Sequence, residues 1–333
     1  MAKLIDTLPG IELPVSEVTK RLATMWEGEK TSSLSEFRAS QMNLVLHFGL
    51  DVSAEEARER FDTVIQFAQR YPSRIIILCP ERDRQDGSMT AKLFSQCYIG
   101  ESHREMCCCE ALLLGYTSED FGYLSNQVSI WLEGDLPTYH WFNRVPPERI
   151  QKYYDSLLVG VRRTIFDSSV EPEAVLGLDW PYPEKVADLA RARLLTVRQA
   201  LGQYLSGYAP ESLSKGLKSV TVTHSDSMTG EGRHLLAWLK SCLAECGSEA
   251  SLEFDSSTFN LKARSKDDSG DCQLAIEFLY EDGRYFRWSK EKKNSICEIE
   301  SHLGEAVENL PTRVKPLTPD QTLSEALFFD PGL

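Results

Sequence analysis

Residues 42–80 constrain the fold of this chain more than any other segment, because two apolar runs flank one amphipathic helix pattern. The runs are MNLVLHFGL and SRIIILCP. Between them, Ser53 is placed to cap a helix, Glu56 to complete its capping box, and Pro72 to end it. Two apolar strands joined by a helix form a right-handed βαβ unit with parallel strands. The segment therefore predicts an α/β domain.

The alternation of strand and helix patterns continues to about residue 170 and then stops. Segment 171–184 carries three prolines and has no periodicity, which is typical of a linker. We predict an N-terminal mixed α/β sheet domain over 1–170, with a helical lead-in over 1–36. We predict a C-terminal α+β domain over 185–333, with helices first and an antiparallel meander after them.

Four local predictions follow from shorter patterns. The runs AKLFSQCYIGE and HREMCCCEALLLGY indicate a β-hairpin. The stretch SEDFGYLSNQVSIWLEGDLP indicates a helix that leads into a strand near Val128–Leu132. Residues 185–208 indicate one long helix. The Asp-Gly pair within 281–284 predicts a type I′ hairpin turn.

The composition excludes several classes of protein. The chain has 333 residues, of which 42% are hydrophobic and 26% charged, so it can form a sizeable core. Its net charge of −14 repels phosphate backbones, which argues against nucleic acid as the main partner. No apolar run approaches the ~20 residues of a membrane span, and the N-terminus lacks the apolar core of a signal peptide. We expect a cytoplasmic protein that binds neither nucleic acid nor membrane.

Three consecutive cysteines stand at 107–109. On a strand, Cys107 and Cys109 share one face. None of the nine cysteines forms a C-x-x-C pair, so no metal site is predicted. Two interpretations stay open, namely packing as small apolar side chains and redox sensing.

A second pair of cysteines, Cys242 and Cys246, is spaced to share one helix face. The pair is a redox candidate, and the alternative is again core packing.

The stretch HSDSMTGEGRHLL reads as strand, loop and helix start. Free amides at the helix start, with Gly230, Gly232 and Arg233, make an anion-binding candidate. Only a G-x-G is present, so an ordinary loop is the alternative interpretation.

Polar side chains near predicted strand ends form the last candidate site. Ligands of α/β folds bind at strand ends, and an internal salt bridge is the alternative interpretation. The residues concerned are Asp135, His140, Trp141, Arg162, Arg163 and Asp167. The chain has no P-loop, G-x-S-x-G, H-E-x-x-H or complete dinucleotide fingerprint. We therefore predict no catalytic residues and no cofactor.

Six collinear stretches resemble the OpcA family, the glucose-6-phosphate dehydrogenase assembly proteins. They are FRASQMNLVLHF, RYPSRIIIL, GDLPTYHWFN, RRTIFDSS, DLARARLLTVRQAL and HLLAWLKSCL. The chain departs from the family pattern in its long helix. Arg191 and Val197 stand where tryptophans are common, and Thr196 replaces a proline, so the resemblance is that of a divergent member.

The resemblance implies a non-enzymatic protein that binds glucose-6-phosphate dehydrogenase and favours its active oligomer, in the oxidative pentose phosphate pathway. It also implies thioredoxin as a second candidate partner. Exposed aromatic and arginine side chains are the usual anchors of an interface, and the candidates are Trp141, Arg162, Arg163, Arg191 and Arg198. The alternative hypothesis is an enzyme or sensor that binds a sugar phosphate or nucleotide at the strand ends.

Overall fold

The fold divides into two compact units, which a computed structural model describes for residues 3–24, 40–82, 89–99, 106–246, 257–264, 272–291 and 296–332. The first unit consists of Met1–Asp188 together with Pro319–Leu333, and the second of Leu189–Thr318. The segment 171–184, which the sequence indicated as a linker, thus lies inside the first unit. The C-terminal segment also belongs to that unit rather than to the second.

The strands and helices are numbered here in chain order. The first unit begins with β1 (Ile11–Pro14), α1 (Val15–Thr24), β2 (Met42–Phe48), α2 (Ala54–Arg70), β3 (Ser73–Pro80), β4 (Thr90–Ile99), β5 (Met106–Tyr116), α3 (Phe121–Trp131), β6 (Thr138–Asn143), α4 (Pro147–Lys152), β7 (Arg163–Phe166), α5 (Glu173–Leu176) and β8 (Val186–Asp188). The second unit contains α6 (Leu189–Arg193), α7 (Leu195–Leu205), α8 (Pro210–Ser214), β9 (Leu217–His224), α9 (Thr229–Glu245), β10 (Phe259–Ala263), β11 (Cys272–Tyr280), β12 (Tyr285–Glu291), β13 (Ile296–His302) and β14 (Glu308–Arg313). The last helix, α10 (Pro319–Phe328), returns to the first unit.

The first unit is built on an eight-stranded sheet with the order β1-β4-β5-β3-β2-β6-β7-β8. Along this sheet order, every neighbouring pair of strands from β5 across to β8 is parallel. At the other edge, β4 pairs with β5 and β1 pairs with β4, and both of these pairs are antiparallel. Taken by chain position, the six parallel strands have the order third, second, first, fourth, fifth, sixth. This is the strand order of the doubly wound, Rossmann-type folds. The predictions of a βαβ unit and of the β4–β5 hairpin are confirmed.

Helix α2 forms because its sequence caps itself and buries one stripe. The Ser53 side chain accepts a hydrogen bond from the backbone N–H of Glu56 at 3.1 Å. Apolar side chains at helical spacing, including Phe61, Val64 and Phe67, are buried. Helices α2 and α9 have 17 residues each, and no helix in the described part of the chain is long and apolar enough to cross a membrane.

Two local predictions were wrong because short apolar runs do not distinguish helix from strand. The strand expected near Val128–Leu132 is the end of α3, whose inner face buries Leu124, Val128 and Trp131. The long helix expected over 185–208 begins instead with β8, which pairs with β7. Tertiary pairing thus overrides the local helix pattern there.

The helical lead-in expected over 1–36 is described only up to residue 24. This part contains α1, but it also contains β1, which pairs with β4 from Ile11 opposite Leu93 to Pro14 opposite Thr90. The N-terminal segment therefore supplies the edge strand of the first sheet.

The second unit packs helices on one face of a six-stranded sheet. The strand order is β10-β9-β11-β12-β13-β14, in which only the β10–β9 pair is parallel. Its core includes Leu201 and Leu239 of the helices and Val222, Phe278 and Trp288 of the sheet. The α+β architecture with an antiparallel meander is therefore confirmed.

The turn between β11 and β12 differs from the predicted type. A type I′ turn needs a positive φ at both central residues. Among residues 281–284, only Gly283 has a positive φ, of 85°. The glycine closes the turn alone, and the Gly283 N–H donates to the carbonyl of Tyr280 at 3.2 Å.

The C-terminal segment is fastened to the first unit. Helix α10 packs on α2 and contacts β7 and β8. The Arg163 guanidinium donates to the carbonyl of Ala326 at 3.1 Å and to that of Asp330. Gly332, with φ 94°, lies so close to Glu184 that an added Cβ would be 2.5 Å from its carbonyl oxygen.

Candidate functional site

The candidate site is the crevice between β2 and β6. In doubly wound sheets, ligands bind outside the carboxyl ends of the strands at the point where the strand order reverses. Here β2 pairs with β3 on one side and with β6 on the other, so that point lies between β2 and β6. The chain leaves β2 through Gly49 and leaves β6 through Arg144.

A close contact between two main-chain segments shuts this crevice. The Gly49 N–H donates to the carbonyl of Asn143 at 2.8 Å. A Cβ added to Gly49 would lie 1.7 Å from the carbonyl oxygen of Arg144. In dinucleotide-binding folds, a glycine after the first strand lets the backbone approach the pyrophosphate. In this chain, the glycine lets the backbone approach its own neighbouring strand.

Side chains reinforce the closure. The Arg144 Nε donates to the Glu56 carboxylate at 2.8 and 3.0 Å. The Asn143 amide donates to the same carboxylate at 3.1 Å and accepts from Arg60 Nε at 3.2 Å. Glu56 lies in the first turn of α2. The N-terminus of α2 therefore holds the Glu56 carboxylate at the position where dinucleotide-binding folds bind the pyrophosphate. The carboxylate and a pyrophosphate are both negatively charged and would repel each other.

Glu171 holds the main chain of Arg144 in place. The Arg144 N–H donates to the Glu171 carboxyl at 2.7 Å, and Arg144 has a φ of 55°, which is rare for a residue other than glycine. Burial raises the pKa of Glu171 to about 8, although the hydrogen bond from Arg144 lowers it, and Asp167 adds to the rise. We call Glu56, Arg60, Asn143, Arg144 and Glu171 the switch-point cluster.

Glu81 stands just beyond β3, where dinucleotide-binding folds carry the acidic residue that binds the ribose. Its carboxylate is already engaged within the chain. Lys3 Nζ lies 3.3 Å from it, and the Thr90 hydroxyl donates to it at 3.3 Å. Glu81 is 7% exposed. The ribose position is therefore filled by internal contacts as well.

In the described ranges, no group of three or more His, Cys, Asp or Glu side chains is placed to hold a metal ion. The switch-point cluster closes the crevice through the ion pair between Arg144 and Glu56, together with the close main-chain contact between Gly49 and Arg144.

A buried histidine pair lies on the two strands that flank the crevice. His47 of β2 and His140 of β6 share a hydrogen bond of 2.8 Å between Nε2 and Nδ1. The ring of His47 packs against Phe142 and Tyr153 at 4.5 and 5.3 Å. Burial lowers the pKa of His47 well below its usual value, with a further decrease from His140, and burial lowers the pKa of His140 to about 3. Both imidazoles are therefore neutral near pH 7.

The histidine pair predicts a loss of stability on mild acidification. The unfolded chain binds protons at these imidazoles below about pH 6.5. In the folded chain, His140 stays neutral down to about pH 3, and the pKa of His47 also lies well below its usual value. The free energy of unfolding should therefore fall as the pH decreases from 6.5, by up to about 1.4 kcal/mol per pH unit for each histidine. Urea unfolding at several pH values measures this slope.

Glu171 must be controlled in that experiment, because its effect has the opposite sign. Its raised pKa stabilises the fold below about pH 8. We expect the double variant H47F/H140L to lose most of the acid slope, and E171Q to steepen it. An unchanged slope in H47F/H140L would contradict the assignment.

The five partner-binding candidates are divided between the two units. Trp141 is 2% exposed and lies beneath the Arg60 guanidinium, and Arg163 binds the C-terminal segment. Arg162 is exposed, and Arg191 and Arg198 are half-exposed on α6 and α7. Trp141 is therefore buried, whereas Arg163 is partly exposed and its guanidinium is held by the C-terminal segment.

The anion-binding candidates lie inside α9 rather than in a loop. Gly230 and Gly232 are buried in its first turn, and a Cβ on Gly232 would lie 2.9 Å from the ring of His224. Between them, Glu231 is 3% exposed and pairs with Arg193. The glycines thus allow α9 to approach β9, and the Glu231 carboxylate disfavours an anion there. Arg233 is half-exposed beside them.

The helical cysteines are accessible but poorly activated. Cys242 and Cys246 are free thiols and half-exposed. Burial raises the pKa of both, and the Glu245 carboxylate raises it further. A raised pKa leaves less of the reactive thiolate.

The hairpin cysteines show a different chemistry. Cys109 is a free thiol and 2% exposed, so it packs in the core. The side chain of Cys107 lies outside the described residues. Cys97, which the sequence did not single out, is disulfide-bonded, and the residue opposite it in the β4–β5 ladder is Cys108.

The sequence interpretation singled out Asp167 at the carboxyl end of β7 but missed the switch-point cluster itself. Arg162 and Arg163 stand at the amino end of β7, whereas ligands bind at carboxyl ends. The preceding strand carried a sequence signal for the cluster, because the polar residues Asn143 and Arg144 directly follow the apolar residues of β6. Glu56 was noticed only as a capping residue.

The fold and the site define a protein whose first unit is a doubly wound α/β fold with its switch-point crevice closed. Residues 64–179 match the family profile described as "Glucose-6-phosphate dehydrogenase subunit N-terminal domain", that of the OpcA assembly proteins. The chain therefore carries an OpcA-family domain, and the resemblance found in the sequence is confirmed. No curated protein matches the chain.

Three solved structures align with this chain at low sequence identity. Glucose-6-phosphate 1-dehydrogenase from Mycobacterium avium aligns with a TM-score of 0.51 and 10% identity, covering 86% of this chain and 87% of that one. An aldose-aldose oxidoreductase from Caulobacter crescentus aligns at 0.39 and 10% identity, covering 86% and 87%. The putative oxidoreductase yvaA from Bacillus subtilis aligns at 0.44 and 6% identity, covering 85% and 87%. At 10% identity, the alignment with the Mycobacterium avium enzyme shows a shared fold alone. The other two alignments have TM-scores below 0.5 and do not establish a shared fold.

Proposed function

We propose that this chain is a non-enzymatic partner that binds glucose-6-phosphate dehydrogenase and favours its active oligomer in the oxidative pentose phosphate pathway. The observation that carries the proposal is the closed crevice, where Gly49 contacts the main chain of Arg144 and Glu56 pairs with the Arg144 guanidinium. A dehydrogenase needs that space for its cofactor. A protein that retains the architecture but fills the space is suited to binding rather than to hydride transfer.

The family match supports the choice of partner, since OpcA proteins are assembly proteins of this dehydrogenase. Activation by binding requires a difference in affinity between two forms of the enzyme. Moving an enzyme from almost wholly inactive to almost wholly active takes about a 10⁴-fold preference for the active form. Arg162, which is exposed, and Arg191 and Arg198, which are partly exposed, remain the candidate contacts.

Mixing the purified chain with the dehydrogenase of the same organism tests this function. We expect co-purification, a larger oligomer and a higher dehydrogenase activity in the presence of the chain. The chain alone should convert no glucose 6-phosphate. Turnover by the chain alone, or unchanged kinetics and oligomer size on mixing, would contradict the proposal.

Titration with NADP separates the proposal from its rival, a nucleotide- or sugar-phosphate-binding enzyme or sensor. Calorimetry at about 1 mM NADP or glucose 6-phosphate should give no binding heat, because the switch-point cluster occupies the pyrophosphate position. Saturable binding of either compound to the isolated chain would favour the rival.

Thiol redox control by thioredoxin is a secondary part of the proposal. Cys242 and Cys246 lie four residues apart on α9 and are half-exposed. We expect reductant to change the activation of the dehydrogenase and the variant C242S/C246S to abolish that change. A response that persists in the variant would remove these two thiols from the proposal.

A further inference from the structure

One face of the sheet in the second unit is not covered by any described element of that unit. Side chains alternate along its strands between the helix-covered core and this open face. A depression of 380 Å³ lies on the face. We define the open face by Thr221, Thr223, Asn260, Lys262, Ala275, Glu277, Arg287, Ser289, Glu298, Glu300, Asn309 and Pro311.

The strand registers arrange these side chains in two rows that cross the whole sheet. From β10 to β14, the first row reads Lys262, Thr223, Ala275, Ser289, Glu298, Pro311. The second row reads Asn260, Thr221, Glu277, Arg287, Glu300, Asn309. The first row is thus small and neutral in its middle, with a cation toward one side and an anion toward the other.

This arrangement is complementary to itself. A two-fold axis parallel to the strands, placed over the middle of the face, stacks β11 of one copy on β12 of the other, β9 on β13 and β10 on β14. The rows then stack on themselves. Glu277 meets Arg287 of the second copy, and Ala275 meets Ser289 of the second copy. Lys262 comes within one strand of Glu298 of the second copy.

We propose that the open face is a self-association surface, on which a second copy of this chain packs about such a two-fold axis. Sheets pack face to face at about 10 Å. Six strands spaced about 4.8 Å apart, with some seven residues each, give a face of roughly 600 Å². Two such faces bury on the order of 1,200 Å², which is the lower end of stable interfaces. The dimer is therefore reversible, and it does not depend on the proposed function.

Sedimentation velocity of the full chain over a range of concentrations tests the association. The wild type should pass from monomer to dimer. The variant A275R, which places a long cation opposite Ser289 of the second copy in the neutral middle, should weaken the dimer at least about tenfold. Circular dichroism and urea unfolding show whether A275R is folded.

Charge exchange tests the orientation. K262E and E298K should each weaken the dimer, and K262E/E298K should restore it. Within one chain, these two residues are four strands apart, or roughly 19 Å, so restoration reports a contact between copies. K20E, on the exposed side of α1, is the matched control and should leave the dimer unchanged.

Three results would overturn the proposal. They are a wild type that stays monomeric, a dimer that A275R leaves intact, and a double exchange that weakens the dimer further. If the wild type is monomeric but A275R loses binding to the dehydrogenase, the open face belongs to that enzyme. The assay of dehydrogenase activation, performed separately, reports on the proposed function alone.

Discussion

Replacement of Gly49 by alanine is expected to lower the free energy of unfolding by about 4 kcal/mol or more. The new methyl group would lie 1.7 Å from the carbonyl oxygen of Arg144. The Gly49 Cα that carries the methyl group and the Arg144 carbonyl both belong to the main chain at the ends of neighbouring parallel strands, so neither can rotate away. Relief requires β2 and β6 to separate at the carboxyl ends, which breaks the hydrogen bond from Gly49 to Asn143. Urea unfolding followed by circular dichroism measures the loss.

Gly122→Ala is the matched control for this prediction. Gly122 lies in α3, is exposed, and a Cβ there meets no atom within 4 Å. Alanine should stabilise the helix by roughly 0.5–1 kcal/mol. If G49A were as stable as the wild type, the crevice would be able to open at little cost. A cofactor could then enter the crevice.

Replacement of Leu323 by alanine is expected to lower the free energy of unfolding by about 3 kcal/mol. Leu323 is 0% exposed on α10, which packs on α2 and contacts β7 and β8. The side chain is therefore part of the first unit's core, although it lies more than a hundred residues beyond the rest of that unit. Thermal and urea unfolding of the full chain measure the effect.

The control for this prediction is Phe329→Ala, which removes a larger apolar side chain from the end of the same segment. Phe329 is 69% exposed, so its loss should change stability by at most about 0.5 kcal/mol. A chain that ends at residue 318 should fail to give a folded first unit. Equal effects of L323A and F329A would show that α10 is not part of the core.

Several elements could be predicted because their signals are local. Ser53 and Pro72 bound α2, and the apolar runs on either side become β2 and β3. The β4–β5 hairpin and the meander of the second unit are likewise indicated by short strand-like runs that alternate with polar or turn residues. Each of these signals lies within about twenty residues of the structure it specifies, so one sequence is sufficient.

The switch-point cluster could not be predicted, because its members come from helix α2, from the carboxyl end of β6 and from the segment after β7. Glu56, Arg144 and Glu171 are far apart in the chain and meet only once the sheet has its strand order. Arg163 was likewise chosen as a partner contact, since nothing near it in the sequence indicates that α10 returns to accept its hydrogen bonds.

The sequence by itself determined the fold class, the βαβ unit and the membership of its first part in the OpcA family, because periodicity, caps and collinear motifs are properties of short segments. Tertiary structure alone decided that the crevice is closed, that α10 completes the first unit and that the open face carries two complementary rows. These features depend on contacts between residues far apart in the chain, and only the strand order and register bring such residues together.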